Sequence, residues 1–138
     1  MATPYTGGCA CGAIRYEISG EPAMAGHCQC RDCQRATGSG HESLLIFPEA
    51  SAKIPGTPKM FGFKADSGNS VGRGICEKCG SPVISRSSGF AGVVMVTASS
   101  LDDPSRFSPQ FVLYTSSGQP WDHMDPKLQK FAKMPPAG

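Results

Sequence analysis

The sequence predicts an all-β protein: mainly β-strand, with short helical turns. Three observations lead there. Glycine and proline are frequent, 17 and 12 of 138 residues, and both punctuate a chain into short pieces joined by turns. Several segments alternate apolar and polar side chains with the period of a strand. Helical periodicity is scarce.

In chain order, Ala13–Ile18 (AIRYEI) alternates cleanly and reads as a strand. Ser43–Phe47 (SLLIF) is a short apolar run stopped by Pro48, the pattern of a buried strand. Lys59–Phe63, Pro82–Arg86, Gly92–Thr97 and Gln110–Thr115 are rich in β-branched and aromatic residues and read as further strands. Between them, DCQRATG predicts one helical turn, with Asp32 near its start and Gly38 as its stop. Ser100–Pro104 (SLDDP) reads as a turn whose Asp side chains bond local backbone. A second short helix is expected near the end, with Asp125 as N-cap, Pro126 first, and Leu128 and Phe131 facing inward. The closing KMPPAG reads as frayed. Phe61, Phe63, Val94, Val96, Phe111, Leu113 and Tyr114 are expected to pack the sheets. Trp121 either walls a pocket or anchors the terminal helix. No linker or repeat interrupts residues 1–138, which read as one domain.

Composition excludes some classes. Hydrophobic residues at 39% and charged residues at 17% are too apolar a mix for a disordered chain. No apolar run nears the length of a membrane span. The opening MATPYTGG lacks the basic and apolar regions of a secretory signal, so a cytoplasmic location is expected. No Lys/Arg run or basic stripe supports nucleic-acid binding.

The seven cysteines carry the most information. An odd number cannot pair fully within one chain, so they read as metal ligands or reactive thiols in a reducing compartment. They fall into three groups: Cys9 and Cys11; Cys28, Cys30 and Cys33; Cys76 and Cys79. The last group, CEKCG, has the form of a zinc knuckle, which supplies two ligands where a closed site needs four. Either Cys9 and Cys11 complete it, or two of the central three do. Ligand counting favours Cys9 and Cys11, and such a closed site can contribute on the order of 10 kcal/mol to folding. Cys28, Cys30 and Cys33 are then left as three ligands around an exchangeable position, the pattern of a catalytic zinc. Two zinc ions held by seven thiolates would shift the formal charge from +2 to −1, still near neutral. His27 tempts as a fourth ligand, but adjacent side chains in extended backbone point to opposite faces. His41 and His123 lack ligand spacing.

These motifs resemble the glutathione-dependent formaldehyde-activating family, also called the centromere protein V family. The resemblance runs from GGCACGAIRYEI through HCQCRDCQRATG, GRGICEKCGSPV and SSLDDPSRFSPQFVLYT to PWDHMDPKLQKF. It implies a β-tent fold of small antiparallel sheets. It implies a structural zinc at Cys9, Cys11, Cys76 and Cys79 and an active-site zinc at Cys28, Cys30 and Cys33. The implied activity is that of a carbon–sulfur lyase of the S-(hydroxymethyl)glutathione synthase type, adding a zinc-bound thiol such as glutathione to a small aldehyde, or the reverse. Two positions depart from the family pattern: Ile75 where an aromatic residue is common, and Gln29 where histidine is common.

Thiol addition needs a proton donor for the nascent alkoxide; His27, His41, Glu42 and water are the neighbours to consider. Arg31 and Arg35 flank the central cluster and read as solvent-facing rather than as a carboxylate clamp. The competing reading is a non-catalytic adaptor module with both zinc ions structural; a third is labile zinc handling.

Overall fold

Strands dominate, and their alternation decides what each sheet face does. The structure is a computed structural model that describes residues 3–135. The expectations for the opening residues 1–2 and for 136–138 at the closing KMPPAG lie outside the described residues. A three-stranded antiparallel sheet contains β1 (Tyr5–Gly8), β2 (Arg15–Ile18) and β5 (Ala52–Lys53), with β2 central. The larger sheet has eight strands. From the middle outward on one side run β4 (Glu42–Pro48), β3 (Met24–Cys28), β10 (Phe111–Leu113) and β11 (Gln129–Lys130). On the other side of β4 follow β9 (Val93–Thr97), β8 (Pro82–Ser87), β7 (Ser70–Ile75) and β6 (Lys59–Lys64). Its pairings are antiparallel except that β10 runs parallel to both β3 and β11.

Because successive strand residues face opposite ways, the large sheet has two distinct faces. Leu45 and Phe47 of β4, with Val94 and Val96 of β9, pack on Tyr5, Tyr16 and Ile18 of the small sheet as the core. Each such fully buried side chain contributes roughly 1.5–3 kcal/mol. Leu44, Ile46 and Met95 take the other face and line a cavity.

This sorting corrects part of the expected core. Val94 and Val96 are core residues, but Phe63, Phe111, Leu113 and Tyr114 line the cavity. Phe61, on a hairpin beyond the small sheet's cover, is half exposed. Trp121 is 63% exposed and neither walls the cavity nor anchors a helix.

The expected helical turn is α1 (Arg31–Thr37), ended as expected by Gly38 at φ 69. Asp32 lies in its first turn, as expected, and the N-cap is Cys30: Cys33 N donates to Cys30 Sγ at 3.3 Å. The expected C-terminal helix does not form. Asp125 does cap a turn, accepting from Lys127 N, and Leu128 N reaches Asp125 O. The chain then becomes β11, and Phe131 N donates to Val112 O on the open edge of β10. That edge supplies the backbone partners a two-turn helix would have made internally. In SLDDP, Asp103 bonds Ser105 N locally as expected, whereas Asp102 reaches across to Arg15 and Thr6. Among the described residues no helix is long and apolar enough to cross a membrane.

Candidate metal centre

Two thiol clusters assemble. The first joins Cys9 and Cys11, in the turn between β1 and β2, to Cys76 and Cys79, in the turn between β7 and β8. All four sulfurs lie within 4.8 Å of one another. Cys9–Cys11 and Cys11–Cys76 sulfurs are 3.6 and 3.7 Å apart. A tetrahedron with Zn–S bonds of about 2.3 Å has edges of roughly 3.8 Å, so the spacing fits a four-thiolate metal site. The turns are built for it. Ile14 N donates to Cys9 Sγ at 3.2 Å, and Gly80, at φ 76, lets its own N–H close the knuckle on Cys76 O at 2.8 Å.

The thiols in this group share protons unequally. The Ile14 amide holds Cys9 below the ordinary thiol range. Ser81 hydrogen bonds pull Cys79 down to about 5. The Ala13 amide also lowers Cys11, but contact with Cys9 and the other sulfurs carries it up to about 11. Such sulfurs favour charge in part and obstruct one another in full. A bound cation is what would let all four ionise.

The second cluster is Cys28, Cys30 and Cys33, again within 4.8 Å of one another, with no fourth ligand residue joining it among the described residues. Strand β3 ends at Cys28 and α1 begins after Cys30, so one tight connection carries the first two sulfurs. Cys33 sits one helical turn on, directly over the cap. The sulfurs crowd: contacts from Cys28 and Cys33 hold Cys30 toward the thiolate, while Cys30 and Cys28 push Cys28 and Cys33, respectively, toward the protonated form. Here too, full ionisation calls for a cation.

These thiols stand at the wall of a cavity of about 720 Å³, within the range of small-molecule sites. Glu42 pairs with Cys28 across β3 and β4 and is buried. Its Oε2 accepts from Arg73 Nη1 at 2.6 Å, and Arg73 Nη2 lies 3.6 Å from Cys33 Sγ. Burial works against the Arg73 charge, but Glu42 and Cys33 more than offset it. The guanidinium also lies 5.2 Å from the Phe63 ring centroid.

The histidine candidates do not join the thiols, although His27 lines the cavity and packs edge-on against His41, ring centroids 4.8 Å apart. His27 turns away from Cys28: its Nδ1 pairs with Ser43 Oγ, and burial, then His41, push its imidazole down to about 4. His41 bonds Asp122 at 2.9 Å, and His123 is exposed. Arg31 and Arg35 are exposed, as expected. Gln29 is buried behind the cysteine connection, donating to Asp122 Oδ2, while its backbone N–H donates to Leu113 O. The departure from the family pattern at Gln29 therefore touches the back of the site and not the cavity. Ile75 is half-buried and does not line the cavity.

Sequence reasoning missed Arg73 and placed Tyr114 in the core. Arg73 had a signal: a lone charge between two glycines, three residues before the knuckle. Tyr114 carries φ 57, a conformation no sequence pattern announces for a bulky residue. Burial, then the negative charge of Asp66 and the three cysteines, raise its phenol and keep it protonated.

The chain matches the family described as glutathione-dependent formaldehyde-activating enzyme over residues 4–117. No curated protein matches significantly. A crystal structure of a Rhodobacter sphaeroides protein superposes with a TM-score of 0.57 at 18% identity, covering 70% of this chain and 87% of that one. At that identity the likeness concerns the fold alone.

Proposed function

We propose, since the chain belongs to the glutathione-dependent formaldehyde-activating enzyme family, that it is a zinc-dependent carbon–sulfur lyase. It joins a small-molecule thiol, such as the glutathione of the family name, to a small aldehyde such as formaldehyde, or splits the adduct. Cys9, Cys11, Cys76 and Cys79 would hold a structural zinc, and Cys28, Cys30 and Cys33 a catalytic one. The observation that carries this reading is the cavity beside a cluster of three thiols that no fourth ligand residue joins among the described residues. A closed adaptor site needs neither. Seven free thiols also suit the reducing cytoplasm.

A zinc held by Cys28, Cys30 and Cys33 would supply Lewis acidity that lets a substrate thiol ionise near neutral pH. The chain's own residues do the rest. Arg73 places positive charge against the Cys33 sulfur and moderates the negative charge gathered there. Glu42 fixes the guanidinium. The Tyr114 phenol, kept protonated at the cavity wall, donates to the oxygen that becomes alkoxide as the C–S bond forms. The reaction is an addition across the carbonyl: the S–H proton is lost, one proton is gained at oxygen, and nothing is oxidised.

Exchange NMR of thiol, aldehyde and hemithioacetal tests the proposal. The zinc-loaded protein should accelerate interconversion over buffer, and Cys33→Ser should abolish the acceleration. A wild-type rate equal to buffer with every thiol tried removes the lyase reading and leaves the adaptor one.

A further inference from the structure

We infer that the preferred thiol carries an uncharged apolar body, aromatic or branched alkyl, in place of a charged peptide backbone; this deepens the lyase reading and rests on it. The apolar part of the cavity wall includes Ile46, Phe63, Met95, Phe111, Leu113 and Phe131, and its uncharged polar residues are serines, Asn69, Gln110 and Gln129. These six apolar residues come from four strands and the segment after β11, so apolar surface faces the thiol cluster from several sides. Gly26 shows how closely this wall is built. A Cβ there would lie 2.5 Å from the Phe111 ring, so the ring lies flat on the β3 backbone only because residue 26 is glycine.

Charge points the same way. The ionisable side chains lining the cavity, apart from its cysteines and His27, are Asp32, Glu42, Asp66, Arg73 and Tyr114. Arg73 is the one arginine or lysine among the lining residues, and it is committed to Glu42. Lys133 lies 3.7 Å from Asp66 at the exposed rim. Among the described residues, then, no uncommitted arginine or lysine lines the cavity. Glutathione would bring carboxylates into an apolar space already bordered by acids. Burying a carboxylate without a partner is strongly unfavourable. A thiol with an apolar body loses only its contact with water and gains the walls. The wall made by Phe131, Met134 and Pro135 also lies beyond the stretch, residues 4–117, that matches the family. That part of the lining is not shared through the family match.

The reaction stays balanced. The thiol sulfur forms a bond to the carbonyl carbon, the C=O π pair moves to oxygen, and the thiol proton is replaced there by one on the hydroxyl.

The test sets 2-phenylethanethiol against glutathione, each with formaldehyde, on the zinc-loaded protein. Exchange NMR reads turnover and calorimetry reads binding of the thiol alone. The expected result is a kcat/KM at least about tenfold higher for 2-phenylethanethiol, with tighter binding by a similar factor. Phe131→Arg, checked for folding by its melting curve, should shrink that preference; Leu113→Gln serves if it fails to fold. Both thiols turning over with glutathione equal or better overturns this inference and leaves the lyase reading intact. Binding of 2-phenylethanethiol, weakened by Phe131→Arg but with no turnover of either thiol, supports the apolar site and overturns the lyase reading. Failure of 2-phenylethanethiol to bind overturns the inference.

Discussion

Arg73 bridges Glu42 and Cys33, with one guanidinium nitrogen 2.6 Å from Glu42 Oε2 and another 3.6 Å from Cys33 Sγ. Side-chain exposures of 18% and 5% make this a largely buried ion pair. Removing one partner leaves the other charge buried. Arg73→Met is expected to cost about 3–5 kcal/mol, read by urea denaturation of the metal-loaded protein. Adding Glu42→Gln should recover part of the loss. A double variant as unstable as the two losses summed means the pair does not act as a unit.

Metal content separates the two clusters. The intact chain is expected to bind two zinc ions. Cys33→Ser should lose one and stay folded, because the small sheet and core do not depend on it. Cys76→Ser should lose the fold, since a structural site supplies on the order of 10 kcal/mol, comparable to the stability of a small domain. Elemental analysis paired with circular dichroism reads both. Equal loss of fold in the two variants contradicts the division of labour.

Acid should loosen the small sheet. Arg15, then Thr6, hold the Asp102 carboxyl down to about 2, below its ordinary 3.8. A depressed folded-state pKa contributes stability that is present above the unfolded value and lost as pH falls through the folded one. The window is therefore from about pH 4 down to about pH 2. Asp102→Asn should lower stability near neutrality, where the charged pair contributes, and flatten the profile between about pH 4 and pH 2, leaving the acid end little changed. An identical acid slope in the variant would place the sensitivity elsewhere.

Tyr114 offers a test of the proton donor. Its φ of 57 and ψ of 42 lie in the left-handed region, which costs an ordinary residue roughly 1–2 kcal/mol. Tyr114→Phe keeps the wall and drops the hydroxyl, so turnover should fall about a hundredfold with KM little changed. Tyr114→Gly relieves the backbone but opens the wall, and should raise KM as well. Full turnover in the Phe variant assigns the proton to another donor.

The elements legible in the sequence were those whose side chains announce a strand. β2, β4, β6, β8, β9 and β10 lie where alternating, β-branched or aromatic runs placed them. β1 (YTGG), β3 (MAGHC) and β7 (SVGRGI) were not read as strands. They carry glycines, which weaken local propensity and are there because something packs close, as Phe111 does on Gly26. Both cysteine groupings were legible because ligand spacing is local in two pairs and one triplet. The cavity was not. Phe111 and Val94 look alike in sequence, and only the sheet's two faces separate wall from core. Arg73 reaches Cys33 across 40 residues of chain, a distance that single-sequence patterns do not span.

The four-thiol cluster also sets an order in time. Cys11 and Cys76 are 65 residues apart. At about 5–20 residues per second, a ribosome takes on the order of 3–13 s to make the intervening chain. Through that interval Cys9 and Cys11 leave the tunnel as bare thiols with no partners to complete their site. The triplet at Cys28, Cys30 and Cys33 is whole well before the knuckle emerges. Of the two proposed metal sites, the triplet is thus the first able to capture metal during synthesis, and the four-thiol cluster is the last. In a cell starved of zinc, completed chains should accumulate with the four-thiol site unfilled.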